Sequence, residues 1–86
     1  MPTVSVVIPV YNAASFIEPT LQSVFDQTFR DIEIIVVDDG STDNTRQVLE
    51  KYSDKVRYLY KKNGGQSSAR NAGIKVARGE FIALLD

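Results

Sequence analysis

The run VSVVIPV at residues 4–10 is nearly continuously apolar and rich in β-branched side chains, and it passes directly into the polar pair Tyr11-Asn12. An uninterrupted run of this kind is typical of a strand that is buried on both faces of a parallel sheet. A second run, IEIIVV at residues 32–37, is followed at once by Asp38-Asp39-Gly40-Ser41. The two runs predict a parallel sheet with polar groups placed where its strands end.

Helical spacing fills the segment after each of these strands. Ser15-Phe16-Ile17-Glu18 fits a capping box, which predicts a first helix running to about Thr28. Asp43 is a candidate cap for a second helix. The inner face of that second helix would carry Thr45, Val48, Leu49 and Tyr52.

The remaining sequence predicts a third strand, a third helix and a fourth strand. The strands would span residues 56–60 and 81–85, and the helix would be capped by Ser67 or Ser68 and ended by Gly79. Small residues on its inner face would allow close packing on the sheet: Ala69, Ala72, Gly73 and Ala77. The order βαβαβαβ indicates an α/β fold with a Rossmann-like parallel sheet and right-handed crossovers.

The composition excludes several classes of function. Ten Lys and Arg residues nearly balance eleven Asp and Glu residues, so no strong electrostatic field favours nucleic acid. The chain has no Cys and no His, which excludes thiol nucleophiles, imidazole bases and the usual tetrahedral zinc sites. Any chemistry must therefore use carboxylates, amides, hydroxyls, Arg or Lys.

The two ends of the chain give further expectations. No secretory signal or run long enough to span a membrane is present among these 86 residues, so we expect a cytoplasmic location. The last residues, FIALLD at 81–86, form an apolar strand with nothing after it to cover its edge. We therefore expect a truncated piece of a longer protein, with an exposed sheet edge that favours homodimers or exchanged strands.

Parallel sheets bind ligands outside the carboxyl ends of their strands. The residues that follow strands one, two and four are Tyr11 and Asn12, Asp38 and Asp39, and Asp86. A tyrosine ring can stack on a nucleobase, and a carboxylate can accept hydrogen bonds from an imide N–H or from ribose hydroxyls. The sequence thus predicts a nucleotide-binding rim, with Asp86 placed to contact the diphosphate or a divalent cation.

Simpler roles remain open for each of these residues. The acids after the second strand could only cap the next helix, and Tyr11 could only close the end of the sheet. Arg70, near the start of the third helix, could add positive charge beside a nucleotide or could only pair with a surface carboxylate. The convergence of several loops favours the binding role more than any single residue does.

Four blocks of the sequence resemble family-2 glycosyltransferases of the GT-A fold. They are VSVVIPVYN at residues 4–12, IIVVDDGSTD at 34–43, GQSSARNAG at 65–73 and FIALLD at 81–86. The blocks follow one another in the family's order and cover essentially the whole chain. The resemblance implies that residues 1–86 form the amino-terminal, nucleotide-sugar-binding part of a glycosyltransferase domain, cut at the D-x-D element.

The resemblance also implies roles for individual residues. Pro9, Tyr11 and Asn12 would line the nucleoside pocket, and Asp39 would hold the base. The segment containing Arg70 and Asn71 would flank the nucleotide.

Asp86 would be the first acid of D-x-D, which contacts ribose or a Mg²⁺ or Mn²⁺ ion in the family. The second acid and the catalytic base would lie further along the parent chain.

The parent would then transfer a sugar from a nucleotide diphosphate donor, with UDP-sugars as the expected donors, to a hydroxyl of a glycan, lipid or other acceptor, with inversion and metal assistance. It would work in the cytoplasm, including the inner face of the membrane, and this fragment would be inactive alone. Two alternatives come from other classes: a receiver-like phospho-acceptor domain and a non-catalytic interaction module. Receiver domains carry their acid pair after the first strand, where this chain has Tyr11-Asn12.

Overall fold

The computed structural model describes residues 2–26 and 31–85. The predicted element order is confirmed within these residues. The elements are β1 (Val4–Val10), α1 (Ile17–Phe25), β2 (Ile32–Asp38), α2 (Thr45–Glu50), β3 (Arg57–Tyr60), α3 (Gln66–Val76) and β4 (Phe81–Leu84). The four strands form one parallel sheet in the order β3-β2-β1-β4.

The strand order places β1 at the point where the chain changes direction across the sheet. β2 lies on one side of β1 and pairs along its full length, from Val4 with Ile32 to Val10 with Asp38. β4 lies on the other side and pairs only with residues Val4 to Val7. In doubly wound sheets the crevice beside such a reversal is where ligands bind.

The sheet is covered on both faces, which explains why β1 and β2 read as continuous apolar runs. The larger cluster, on the side of α1 and α2, contains Ile8, Val10, Ala13, Ile17, Leu21, Val24, Ile34, Val36, Leu49 and Val56. The smaller cluster, beneath α3, contains Val7, Ile35, Val37 and Ala69. A Cβ at Gly73 would lie 2.4 Å from Cγ1 of Val7, so α3 packs closer to β1 than a larger residue would allow.

Two of the predicted helix starts are wrong. α1 begins at Ile17 with Phe16 at its N-cap and no side-chain capping bond, so Ser15 does not form the expected capping box. α3 begins at Gln66 with Gly65 at its N-cap in a left-handed conformation (φ 98°), and both proposed capping serines lie inside the helix. A glycine that can adopt positive φ starts α3 without any side-chain cap.

The other helix boundaries differ by smaller amounts. α1 ends at Phe25, and the predicted end at Thr28 lies outside the described residues. Asp43 accepts the backbone N–H of Thr45 at 3.0 Å, so it does tie down the start of α2, although Asn44 occupies the N-cap position. α3 ends at Val76, three residues before the expected stop at Gly79.

β4 is an edge strand whose four residues are all exposed, with Phe81 at 64%. This exposure agrees with the expected uncovered edge, while dimerisation itself stays a prediction. No helix in the described part of the chain is long and apolar enough to cross a membrane.

Candidate functional site

A groove of about 160 Å³ opens at the carboxyl ends of β1 and β2, beside the start of α3. We call it the rim groove. It is lined by Pro9, Val10, Tyr11, Asp39, Gln66 and Ala69. The sheet therefore brings Pro9, Tyr11 and Asp39 together, as the order of the elements predicts.

Tyr11 supplies the exposed aromatic surface of the rim groove. It is the first residue after β1, and half of its surface is open to solvent. Pro9 and Val10 precede it on the strand and form an apolar wall. An exposed ring above an apolar wall is suited to stacking against a flat heterocycle.

The Asp39 carboxylate is the most strongly coordinated polar group of the site. Its Oδ1 accepts the backbone N–H of Gly64 at 2.9 Å and lies 3.1 Å from the Lys61 ammonium. Its Oδ2 accepts the N–H of Gly65 at 2.9 Å and the side-chain amide of Asn63 at 3.3 Å. A carboxylate has about four acceptor positions, so the chain's own donors already use the full capacity of Asp39.

These contacts keep Asp39 ionised. Burial alone would raise the pKa of its carboxyl, but the N–H groups of Gly64 and Gly65 and the ammonium of Lys61 lower that pKa below its ordinary value. At neutral pH the side chain is therefore an acceptor only. A ligand N–H that binds Asp39 must share an oxygen with one of these donors or displace it.

Asp38 has a different position from the one expected of a nucleotide contact. It has no exposed surface. Its Oδ2 accepts the Tyr58 hydroxyl at 2.6 Å, and its Oδ1 accepts the N–H of Ser41 at 2.9 Å. Burial and the adjacent carboxylate raise the pKa of Tyr58, which keeps its hydroxyl a donor. Asp38 thus holds β3 and the loop after β2 in place.

Asn12 also braces the rim. Its backbone has positive φ (50°), and its side-chain oxygen accepts the N–H groups of Thr42 at 2.8 Å and Asp43 at 3.2 Å. Its own N–H donates to Oγ of Ser41 at 2.8 Å. Asn12 therefore ties the loop after β1 to the loop after β2, and it does not line the rim groove.

The two predicted residues of α3 do not line the rim groove. Asn71 lies in a separate groove of about 520 Å³, which we call the α3 groove, together with Lys61, Ser68, Ala72 and Lys75. Arg70 is partly buried and lines neither groove. Asp86, the remaining predicted site residue, lies outside the described residues.

Two residues of the site carry no individual signal in the sequence. Gln66 lines the rim groove because α3 begins there, directly after the left-handed Gly65. Lys61 reaches Asp39 from the end of β3. The glycine pair at 64–65 was the available hint, since two adjacent N–H groups without side chains can enclose a carboxylate.

A larger groove of about 670 Å³ lies at the opposite end of the sheet, beside α2 and β3. Its lining mixes three cationic with three acidic side chains: Arg46, Lys55, Arg57, Glu33, Glu50 and Asp54. It lies at the amino-terminal ends of β2 and β3, away from the end of the sheet where parallel strands bind ligands. The chemistry of the rim groove, and not its size, makes it the candidate site.

The described residues do not fit a divalent metal. They contain no group of three or more His, Cys, Asp or Glu side chains that could hold an ion. Only Asp86 was predicted to contact a metal, and it lies outside the described residues.

Comparison with known proteins identifies the family. The sequence pattern of glycosyl transferase family 2 matches residues 5–86. The chain belongs to this family. Among curated family members, the uncharacterized glycosyltransferase RP339 of Rickettsia prowazekii is 49% identical over 84 residues, which cover 98% of this chain and 26% of RP339. The uncharacterized glycosyltransferase EpsJ of Bacillus subtilis is 45% identical over 89 residues, covering 100% of this chain and 26% of EpsJ.

Solved structures of glycosyltransferases share the fold. S. aureus TarS 1–349 in complex with UDP-GlcNAc matches with a TM-score of 0.87 and 39% identity, covering 98% of this chain and 26% of that one. The mannosyltransferase PcManGT of Pyrobaculum calidifontis, in complex with GDP-Man and Mn²⁺, matches with a TM-score of 0.80 and 28% identity, covering 94% and 26%. The family-2 chain thus has the amino-terminal part of a GT-A fold and spans about a quarter of the length of these relatives.

Proposed function

We propose that this family-2 chain is the donor-binding part of a glycosyltransferase that takes a sugar from a nucleoside diphosphate sugar, with uridine as the nucleoside. The observation that carries the proposal is the rim groove, where an exposed Tyr11 ring and an ionised Asp39 carboxylate line one cavity. TarS, which has been solved with UDP-GlcNAc, supports the choice of a uridine donor.

The base would be recognised by stacking and by one hydrogen bond. The Tyr11 ring stacks on the flat face of uracil, and the apolar wall of Pro9 and Val10 excludes water from its edge. The imide N–H donates to Asp39, which accepts only. Gln66 lines the same groove, and its side-chain amide can donate a hydrogen bond to a carbonyl of the base.

The remaining predicted residues take supporting roles in this proposal. Asn12 and Asp38 position the loops that carry Tyr11 and Asp39, as their hydrogen bonds indicate. Arg70 adds positive charge near the nucleotide, and together with Asn71 it belongs to the segment that flanks the nucleotide. Asp86 lies where the diphosphate begins and is a candidate ligand of a divalent ion there.

The rest of the reaction belongs to the parent protein. A downstream carboxylate would remove the proton of the acceptor hydroxyl as that oxygen attacks the anomeric carbon, which inverts the configuration. A Mg²⁺ or Mn²⁺ ion would supply charge stabilisation for the leaving diphosphate, and its ligands would include acids beyond the described residues. The acceptor would be a glycan, a lipid or another hydroxyl compound. These 86 residues alone would not catalyse the transfer. The parent would act in the cytoplasm, including the inner face of the membrane.

Calorimetric titration of the chain with uridine, UDP and guanosine tests the proposal. Uridine and UDP should bind and guanosine should not. Tyr11→Ala and Asp39→Asn should each weaken uridine binding by about tenfold or more, the loss expected for one stacking or hydrogen-bonding contact. Tyr60→Ala is the matched control, because Tyr60 is equally exposed (54%) at the end of β3 but does not line the groove. Absence of uridine binding, or an equal loss in Tyr60→Ala, would refute the assignment.

A further inference from the structure

A polar network around the buried Ser5 lies at the end of the sheet opposite the rim groove. Ser5 of β1 has no exposed surface, and its hydroxyl donates to Oε2 of Glu33 on β2 at 2.5 Å. The same Glu33 oxygen accepts the N–H of Arg78 at 2.6 Å. The N–H of Gly79 donates to Oγ of Ser5 at 2.8 Å. Two strands and the turn before β4 therefore share one set of hydrogen bonds.

The turn fits against β1 so closely that its geometry admits only glycine. A Cβ at Gly79 would lie 2.6 Å from the backbone nitrogen of Ser5 and 2.8 Å from the carbonyl carbon of Val4. Both are backbone atoms, which cannot move aside without shifting β1. The entry of the chain into β4 is thus fixed relative to β1 at a single point.

β4 needs such a fixed point. It pairs with β1 alone, and its side chains are exposed, so little buried apolar surface specifies its register. A strand with weak facial preference is prone to slip, and a slip of one residue turns every side chain to the other face. In the sequence, β4 leads directly into Leu85 and Asp86.

We propose that Ser5, Glu33 and the Arg78–Gly79 turn form a register lock that positions β4 and, through β4, the residues that follow it in the sequence, for donor binding. The lock itself concerns only the position of β4. The effect of the lock on donor binding rests on the proposed function.

Ser5→Ala tests the lock against a close control, Thr3→Val. Thr3 makes the same kind of bond between the same two strand ends, its hydroxyl donating to Asp31 at 2.7 Å, but its side chain has no bond to the β4 turn. Amide hydrogen exchange is read at Phe81 and Leu85, whose N–H groups donate to the carbonyls of Thr3, just before β1, and of Val7, and at Asp39 as an internal reference. Ser5→Ala should speed exchange at Phe81 and Leu85 by about tenfold relative to Asp39, and Thr3→Val by less than threefold.

Glu33 provides a second pair of variants. Glu33→Gln keeps a carbonyl oxygen that can accept both N–H and O–H donors, so exchange at β4 should stay close to that of the wild type. Glu33→Ala should reproduce Ser5→Ala. If Ser5→Ala does not fold, the comparison of Glu33→Ala with Glu33→Gln tests the lock in its place. Faster exchange spread evenly over the sheet, or equal effects of Thr3→Val and Ser5→Ala, would overturn the lock.

Binding separates the lock from the proposed function. Ser5→Ala should keep uridine affinity within about twofold, because the rim groove is built on β1, β2 and α3, while the gain in affinity from uridine to UDP should shrink by about threefold or more. If the wild type binds neither ligand, the proposed function fails, and the exchange data still decide the lock. If the gain in affinity from uridine to UDP is the same in Ser5→Ala as in the wild type, the lock does not affect donor binding.

Discussion

The Lys61 ammonium lies 3.1 Å from Oδ1 of Asp39, in an ion pair in which the Asp39 side chain is 7% exposed. Lys61 lines the α3 groove, whereas Asp39 lines the rim groove. The Asp39 carboxylate is therefore bonded to a lysine of the α3 groove while it lines the rim groove. In the proposed binding mode, a ligand N–H and the lysine compete for the same acceptor.

Lys61→Met should strengthen uridine binding by about threefold to tenfold, because it frees one acceptor position that a ligand N–H must otherwise share. Calorimetry measures the change. Lys62→Met is the control, since the Lys62 side chain makes no ion pair with Asp39 and should leave the affinity unchanged. A weaker affinity in Lys61→Met would mean that the lysine itself contacts the ligand.

The stability of the chain should depend on Asp39 in acid. Its pKa is lowered from 3.8 in the folded protein, so the carboxylate stabilises the fold above about pH 4, and this stabilisation is lost as pH falls through the lowered pKa. Urea unfolding followed from pH 6 to pH 2 should show a smaller loss in Asp39→Asn than in the wild type. Some dependence should remain, because the pKa values of Glu33 and Asp43 are lowered too. Parallel profiles for the two proteins would contradict this assignment.

Tyr58→Phe should lower the free energy of unfolding by about 1–3 kcal/mol, the cost of leaving a buried acceptor without its donor. The acceptor is Oδ2 of Asp38, which is fully buried. Tyr60→Phe removes a hydroxyl from a largely exposed ring and should cost little. Equal changes in the two urea midpoints would show that the Tyr58–Asp38 bond does not support the loop.

Asn12→Ala should destabilise the chain by about 1–3 kcal/mol and weaken uridine binding, because two loop N–H groups lose their acceptor and alanine tolerates positive φ poorly. Asn12→Asp keeps an acceptor and should recover most of both losses. Urea unfolding and calorimetry measure them. Full uridine affinity in Asn12→Ala would show that the brace does not position Tyr11.

Gly73→Ala should cost about 1–3 kcal/mol through overpacking, although alanine is the better helix former. The new methyl would lie 2.4 Å from Cγ1 of Val7 and 3.1 Å from Cγ2 of Val37, both in the core. Gly64→Ala is the comparison, because its methyl would meet only the side chains of Lys61 and Ser68, at 3.0 Å. A gain in melting temperature for Gly73→Ala would contradict the close packing of α3.

The sheet could be predicted because its central strands are buried on both faces, which leaves an unmistakable run of apolar residues. The meeting of Tyr11 and Asp39 followed from the rule that parallel strands present their carboxyl ends on one edge. The helix starts could not be predicted in the same way, because α3 begins at the backbone conformation of Gly65 and not at a polar side chain.

The roles of the polar residues at the rim were only partly accessible from sequence. Asn12 and Asp38 look like ligand contacts, but loop N–H groups need acceptors, and these two side chains supply them. The position of Asn71 was predictable from helical phase, since Ala69 and Gly73 face the sheet and the residue midway between them cannot share that face. The contact of Lys61 with Asp39 could not be predicted from the sequence, because it depends on the pairing of β3 with β2.

The order β3-β2-β1-β4 also governs how the chain can assemble as it is synthesised. β1, β2 and β3 can pair in the order of their synthesis. The other edge of β1 has no partner until β4 is made, and β4 begins at Phe81, 77 residues after Val4. Contacts between such distant residues form late, since a long loop must close first. On the ribosome, one edge of β1 therefore stays open from the synthesis of β1 until β4 emerges, and during that interval it can pair with another chain.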